Sequence, residues 1–126
     1  MKKTIIATTM LLASISQADI IKCVFTEPFV NTTYSTSQSS LTYDSAGAGK
    51  KVIKNVSLQI KGAGLIDLVS KDGKVLQSLS ITGKGSDGMS DRIFPYEVKD
   101  NSMVTGANGG IGGCESNYLK AKEGQN

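Results

Sequence analysis

Short apolar runs recur about every ten residues along this chain, with turn-forming residues between them. The clearest runs from Val52 to Ile60. There Val56, Leu58 and Ile60 fall on one side of a period-two strand, and Asn55, Ser57, Gln59 and Lys61 on the other. Gly62-Ala63-Gly64 ends it. Leu65 to Ser70 and Val75 to Thr82 then flank Lys71-Asp72-Gly73-Lys74, and Asp-Gly between two apolar runs signals a hairpin. Further strands are expected at Ile20–Thr26, Leu41–Tyr43, Arg92–Val98, Met103-Val104 and Gly112–Leu119. A polar Ser/Thr stretch lies at Asn31–Ser40, and a frayed tail is expected at Lys120–Asn126. No helix-length stretch carries a 3.6-residue period. The expectation is an all-β fold, a small antiparallel barrel or sandwich of about seven or eight strands with one disulfide. The Gly109-Gly110-Ile111-Gly112-Gly113 run reads as a place where the last strand approaches its neighbours closely.

The compartment is read from the first eighteen residues. Met1-Lys2-Lys3 is a basic start, Ile5–Ile15 is largely apolar, and Ser16-Gln17-Ala18 is a small-x-small cleavage site, the pattern of a secretory leader. The apolar part is too short to span a bilayer. Cleavage after Ala18 leaves one β-domain, residues 19–126. Losing Lys2 and Lys3 from the 14 basic residues leaves 12 against 11 acidic ones, a near-neutral domain. Such a balance lacks the footprint of a nucleic-acid binder, and no Lys/Arg run forms a polybasic membrane anchor. Two cysteines in an oxidising compartment, Cys23 and Cys114, imply one disulfide. Chain entropy would make that bridge worth at most about 4.6 kcal/mol. Ile20-Ile21-Lys22 before Cys23 is not the small-residue approach that a lipidated cysteine needs. The location expected is periplasmic or secreted, and the chain is expected to be a monomer.

Two segments concentrate unusual polar residues. Gly85-Ser86-Asp87-Gly88-Met89-Ser90-Asp91-Arg92 precedes Phe94-Pro95-Tyr96. Asp87 and Asp91 are expected to accept backbone N–H groups in an ordered turn, with Asp91 or Glu27 pairing the single arginine, Arg92. A cation held by the same two carboxylates is the rival reading, although the spacing is not that of an EF-hand. Thr26-Glu27-Pro28-Phe29 is the second segment; Pro28 keeps Glu27 extended, and Phe29 is a core or rim aromatic. The chain has no histidine, which excludes Ser-His-Asp and Cys-His catalysis and removes the commonest zinc ligand. A two-carboxylate glycosidase would need a cleft with aromatic platforms, and the chain has no tryptophan. No enzyme activity, cofactor or metal is expected. Asn31-Thr32-Thr33 and Asn55-Val56-Ser57 match the glycosylation pattern, but the leader has a bacterial look and no glycan is expected. Asp44–Lys51 reads as a mobile small-residue turn, lacking the Gly-Lys-Ser/Thr ending of a phosphate loop.

Thr26-Glu27-Pro28-Phe29, Ser86-Asp87-Gly88-Met89-Ser90-Asp91-Arg92 with Phe94-Pro95-Tyr96, and Gly113-Cys114 together resemble a group of small bacterial envelope proteins. These are catalogued as membrane proteins and occur beside META/HslJ-like or lysozyme-inhibitor-like domains. The resemblance spans most of the mature chain. It implies an envelope location and an all-β fold, and no reaction. Val30 stands where that group has Trp, and Gly85 where it has Cys, so Cys114 loses its usual partner there and Cys23 is the alternative here.

The leading functional expectation is a periplasmic or secreted domain that binds a protein or small ligand of the cell envelope. Its candidate surface is Glu27, Phe29, Asp87, Met89, Asp91, Arg92 and Tyr96. The alternative is an inhibitor of a hydrolase such as lysozyme. Inhibitors of the periplasmic c-type class resemble this chain in size, leader and terminal disulfide. Their Ser-x-Ser-Gly-Ala-x-Tyr loop and downstream Lys-Gly are echoed by Ser45–Lys50 and Lys84-Gly85.

Overall fold

The computed structural model describes residues 20–26, 29–45, 47, 49–102 and 110–123. The leader, Glu27, Pro28 and the strand expected at Met103-Val104 lie outside the described residues. Among those described, the chain forms nine strands and no helix: β1 (Ile20–Phe25), β2 (Val30–Ser35), β3 (Ser40–Ser45), β4 (Gly49–Lys54), β5 (Ser57–Gly62), β6 (Leu65–Val69), β7 (Val75–Gly85), β8 (Phe94–Asp100) and β9 (Gly110–Ser116). They build one sheet in the order β4-β3-β2-β1-β9-β8-β7-β6-β5. The all-β fold with one disulfide is as expected, and the strand count is slightly higher.

Every one of the eight pairings is antiparallel, so the two outermost strands, β4 and β5, run in the same direction. They are also consecutive in the chain, joined only by Asn55 and Val56. Along the chain path they are therefore one long strand with a corner, the device by which a strand passes from one half of a folded sheet to the other. The corner sits where Asn55 takes a left-handed φ of 62°, a conformation that asparagine tolerates better than most residues. Val56 is fully buried there, its N–H donating to the Ser39 carbonyl at 2.8 Å and its carbonyl accepting from Tyr34 Oη at 2.9 Å. This corrects the single strand expected at Val52–Ile60. Val56 and Leu58 do face the core, but Ile60 is 75 % exposed beyond its edge.

The Asn31–Ser40 stretch contains a strand that the hydrophobic pattern missed. In β2, Val30, Thr32 and Tyr34 are buried in strict alternation, although Thr32 reads as polar by sequence. The Asp72-Gly73 hairpin forms as expected: Gly73 has φ 90°, and Ser70 N–H donates to Lys74 O at 2.8 Å.

The core lies between the two halves of the folded sheet. Ile21, Phe25, Leu41, Leu68, Leu79 and Val98 are buried in it. Cys23 and Cys114 face each other across β1 and β9 and are joined by a disulfide, both almost fully buried. A polar cluster crosses the same core. Tyr43 Oη donates to Asp100 Oδ1 at 2.6 Å, and Gln77 Nε2 bonds Thr32 Oγ1 at 3.2 Å and Asp100 Oδ1 at 3.4 Å. Ser102 Oγ donates to Asp100 Oδ2 at 2.8 Å. Strands β2 and β3 are thereby tied to β7 and β8, and Asp100 and Gln77 are completely buried.

Candidate functional site

Both polar segments meet on the outer face of β8, β9 and β1. Tyr96 and Cys114 are opposite each other and point inward, so Gly113, one residue away, faces outward. The Phe94 ring lies on Gly113: a Cβ there would come within 2.7 Å of the ring. Phe94 is two residues from Tyr96, and strict alternation would turn it inward with it. It lies instead outside the core cluster, next to the register shift between Ile81 and Gly85 where β7 meets β8. It is nevertheless only 1 % exposed, because two segments cover it.

The first cover is the loop at 86–92. Asp87 organises it. Its Oδ1 accepts from Met89 N at 2.9 Å and Ser90 N at 2.8 Å, and its Oδ2 from Ser90 Oγ at 2.7 Å. Burial opposes the charge on this carboxyl, but the hydrogen bonds from Met89 and Ser90 outweigh it and hold the group below the usual carboxylate range. Thr26 Oγ1 donates to the Asp87 carbonyl at 2.8 Å, which fastens the loop to the β1–β2 turn. Gly88, with φ 86°, leaves room for that contact, since a Cβ would lie 2.7 Å from Thr26 Oγ1.

Arg92 closes the loop onto Phe94, its guanidinium 5.1 Å from the ring centroid. Its carboxylate partner is Glu115 on β9, at 3.5 Å, and not the expected Asp91; Glu27, the other expected partner, lies outside the described residues. The reason is directional: stacking on Phe94 carries the side chain across the outer face towards β9, where Glu115 also points outward. Asp91 is exposed and makes no ion pair with Arg92.

The second cover is the segment after β9. Ser116 Oγ accepts from Tyr118 N at 3.2 Å and Leu119 N at 3.0 Å, and Glu115 Oε1 accepts from Ala121 N at 3.0 Å. Ile93 and Lys122 exchange backbone bonds of 2.8 and 2.9 Å. The expectation of a frayed tail from Lys120 is thus corrected for residues 120–122, which form a strap held by Ile93. Between the strap and the start of β8 lies an open pocket of about 420 Å³ lined by Ile93, Phe94, Pro95, Tyr118, Leu119 and Lys122 among others. A smaller one of about 240 Å³, on the far side of Lys120, is lined by Lys22, Glu115 and Asn117 with their neighbours.

The candidate residues divide accordingly. Asp87 and Arg92 hold the loop. Met89 and Phe29, 69 % and 52 % exposed, carry apolar surface outward. Tyr96 does not belong to the surface: it is 6 % exposed, points into the core and bonds Ser116 Oγ at 3.2 Å, because its register places it opposite Cys114. Glu27 is outside the described residues. Sequence reasoning left Phe94, Gly113, Glu115 and the strap out of the candidate surface; Phe94 and Gly113 carried a signal, the one in the Phe94-Pro95-Tyr96 motif and the other as a glycine expected to permit close approach. At Gly85 a Cβ would collide with the Tyr96 carbonyl, so a cysteine at that position does not fit this spacing of β7 and β8. Among the described residues, no group of three or more His, Cys, Asp or Glu side chains is placed to hold a metal. No helix among them is long and apolar enough to cross a membrane. No known protein family matches the chain, and neither a curated protein nor a solved structure is significantly similar to it.

Proposed function

We propose that this is an extracytoplasmic binding domain whose ligand-facing surface is the outer face of β8, β9 and β1. The observation that carries this reading is the pocket between Ile93–Pro95 and the strap at 118–122, which is largely apolar, open to solvent and bounded by a hydrogen-bonded segment. Concave apolar surface with a few polar groups at its rim is the usual form of a ligand site. Met89 and Phe29 are further exposed apolar side chains, on the loop at 86–92 and just before β2. The buried disulfide supports an oxidising compartment, in keeping with the leader and the resemblance to small envelope proteins. Native mass spectrometry of the protein isolated from its own host tests the reading. A co-purifying mass is expected, and it should be lost when Tyr118 and Leu119 are both changed to Asp. Recovery of the same adduct from that variant would defeat the reading.

A second reading, inhibition of a hydrolase such as lysozyme, draws support from the β3–β4 turn. Gly47 and Gly49 take φ of 93° and 85° at the exposed end of a hairpin, the kind of narrow projection that enters an enzyme cleft. A lysozyme turnover assay decides it: unchanged turnover at micromolar protein rules it out.

A further inference from the structure

We propose that the pocket beside Ile93 takes a free anionic amphiphile, a molecule with an apolar body and a carboxylate, sulfate or phosphate head. The proposal rests on the reading of this surface as the ligand-facing one and adds the class of ligand. Its volume of about 420 Å³ lies within the range typical of small-molecule sites. The walls offer apolar surface to water: Ile93 and Leu119 are each 40 % exposed and Tyr118 is 71 % exposed. The charge at the rim is of one sign. Lys120 and Lys122 both line the pocket and are exposed. Among the described residues the ion pair within 4.0 Å is Arg92–Glu115, and neither lysine has a carboxylate at that distance. Glu115, where the strap begins, is already committed to Arg92 and to the Ala121 N–H, and the exposed Glu123 next to Lys122 does not line the pocket. The backbone of Lys122 is fixed at the mouth by its two bonds to Ile93, so its side chain starts from there. An apolar body against Ile93, Pro95 and Leu119 would leave an anionic head beside Lys120 and Lys122. A cationic head would meet repulsion, and a neutral one would gain nothing from the lysines.

Isothermal titration of the purified protein with decanoate, decyl maltoside and decyltrimethylammonium, each below its micelle concentration, tests this. Decanoate is expected to bind about tenfold more tightly than the other two, a preference that weakens as salt is added. In Lys120→Ala/Lys122→Ala the preference should vanish while the maltoside binds as before. In Leu119→Ser all three should weaken. Thermal melts of both variants check that the fold is kept. Equal binding of the three probes would overturn the anionic class and leave the pocket standing as a binding site. No binding of any probe would overturn the class and count against the pocket itself. Co-sedimentation with phosphatidylglycerol vesicles, without heat from decanoate, would overturn a free ligand in favour of a membrane surface.

Discussion

The core between the two halves of the sheet and the outer face of β8, β9 and β1 solve opposite problems. Inside, Asp100, Gln77, Thr32 and Tyr43 are at most 1 % exposed, and each polar group is matched across the two halves of the sheet, beside the Cys23–Cys114 disulfide. Outside, Phe94 is equally buried, but by a loop and a strap whose own side chains, Arg92, Met89, Tyr118 and Leu119, remain partly or largely in water. The inner face holds the halves together. The outer face holds two surface segments in place over one aromatic ring. Exposed apolar surface on such segments is the support for the binding role proposed for the outer side.

Breaking the inner face should cost most. Asp100→Ala removes the buried acceptor of Tyr43 and one of the two acceptors of Gln77 and should cost about 3–5 kcal/mol, seen as a large fall in Tm. Removing the disulfide by Cys23→Ala/Cys114→Ala should cost about 2–4 kcal/mol in a denaturant titration, with β1 and β9 still paired.

The two faces should also differ in pH response. Tyr43 has its phenol pushed well above the ordinary value by burial and then by Asp100, and burial raises Tyr34 too. Their contribution is full below the ordinary tyrosine value and is lost as pH rises above it. Asp87 is held below the ordinary carboxyl value, so its contribution is present above that value and is lost as pH falls. Asp87→Asn should cost about 1–2 kcal/mol at neutral pH and flatten the acid limb of the stability curve, leaving the alkaline limb unchanged. Asp87→Asn with an unaltered acid limb would show that the loop at 86–92 is not coupled to stability. The smallest effect is expected for Arg92→Ala. A half-exposed pair at 3.5 Å and one ring contact should be worth less than about 1 kcal/mol in a thermal melt.

Much of the frame was legible in the sequence, because strand alternation and turn glycines act locally. Ile20–Phe25, Leu65–Val69 and the Asp72-Gly73 hairpin needed no tertiary information. β2 did, since Thr32 reads as polar until Gln77 is seen to bond it across the core. The corner at Asn55 is invisible to a period-two count, which carries straight through it. The polar cluster is drawn from residues 32, 43, 77 and 100, and no local pattern distinguishes a buried Asp100 from one that ends a strand in water. On the outer face, the Asp87 turn was legible from its own residues. Phe94 was not, because the register shift ahead of it reverses the side that alternation assigns.

Amide hydrogen exchange on Gly113→Ala tests the division between the two faces most directly. The added methyl group displaces Phe94 and leaves the inner cluster untouched. Faster exchange confined to residues 86–93 and 117–122, with β2, β3 and β7 as slow as before, is the expected result. Uniform acceleration through β2, β3 and β7, or no change in the loop and strap, would contradict it.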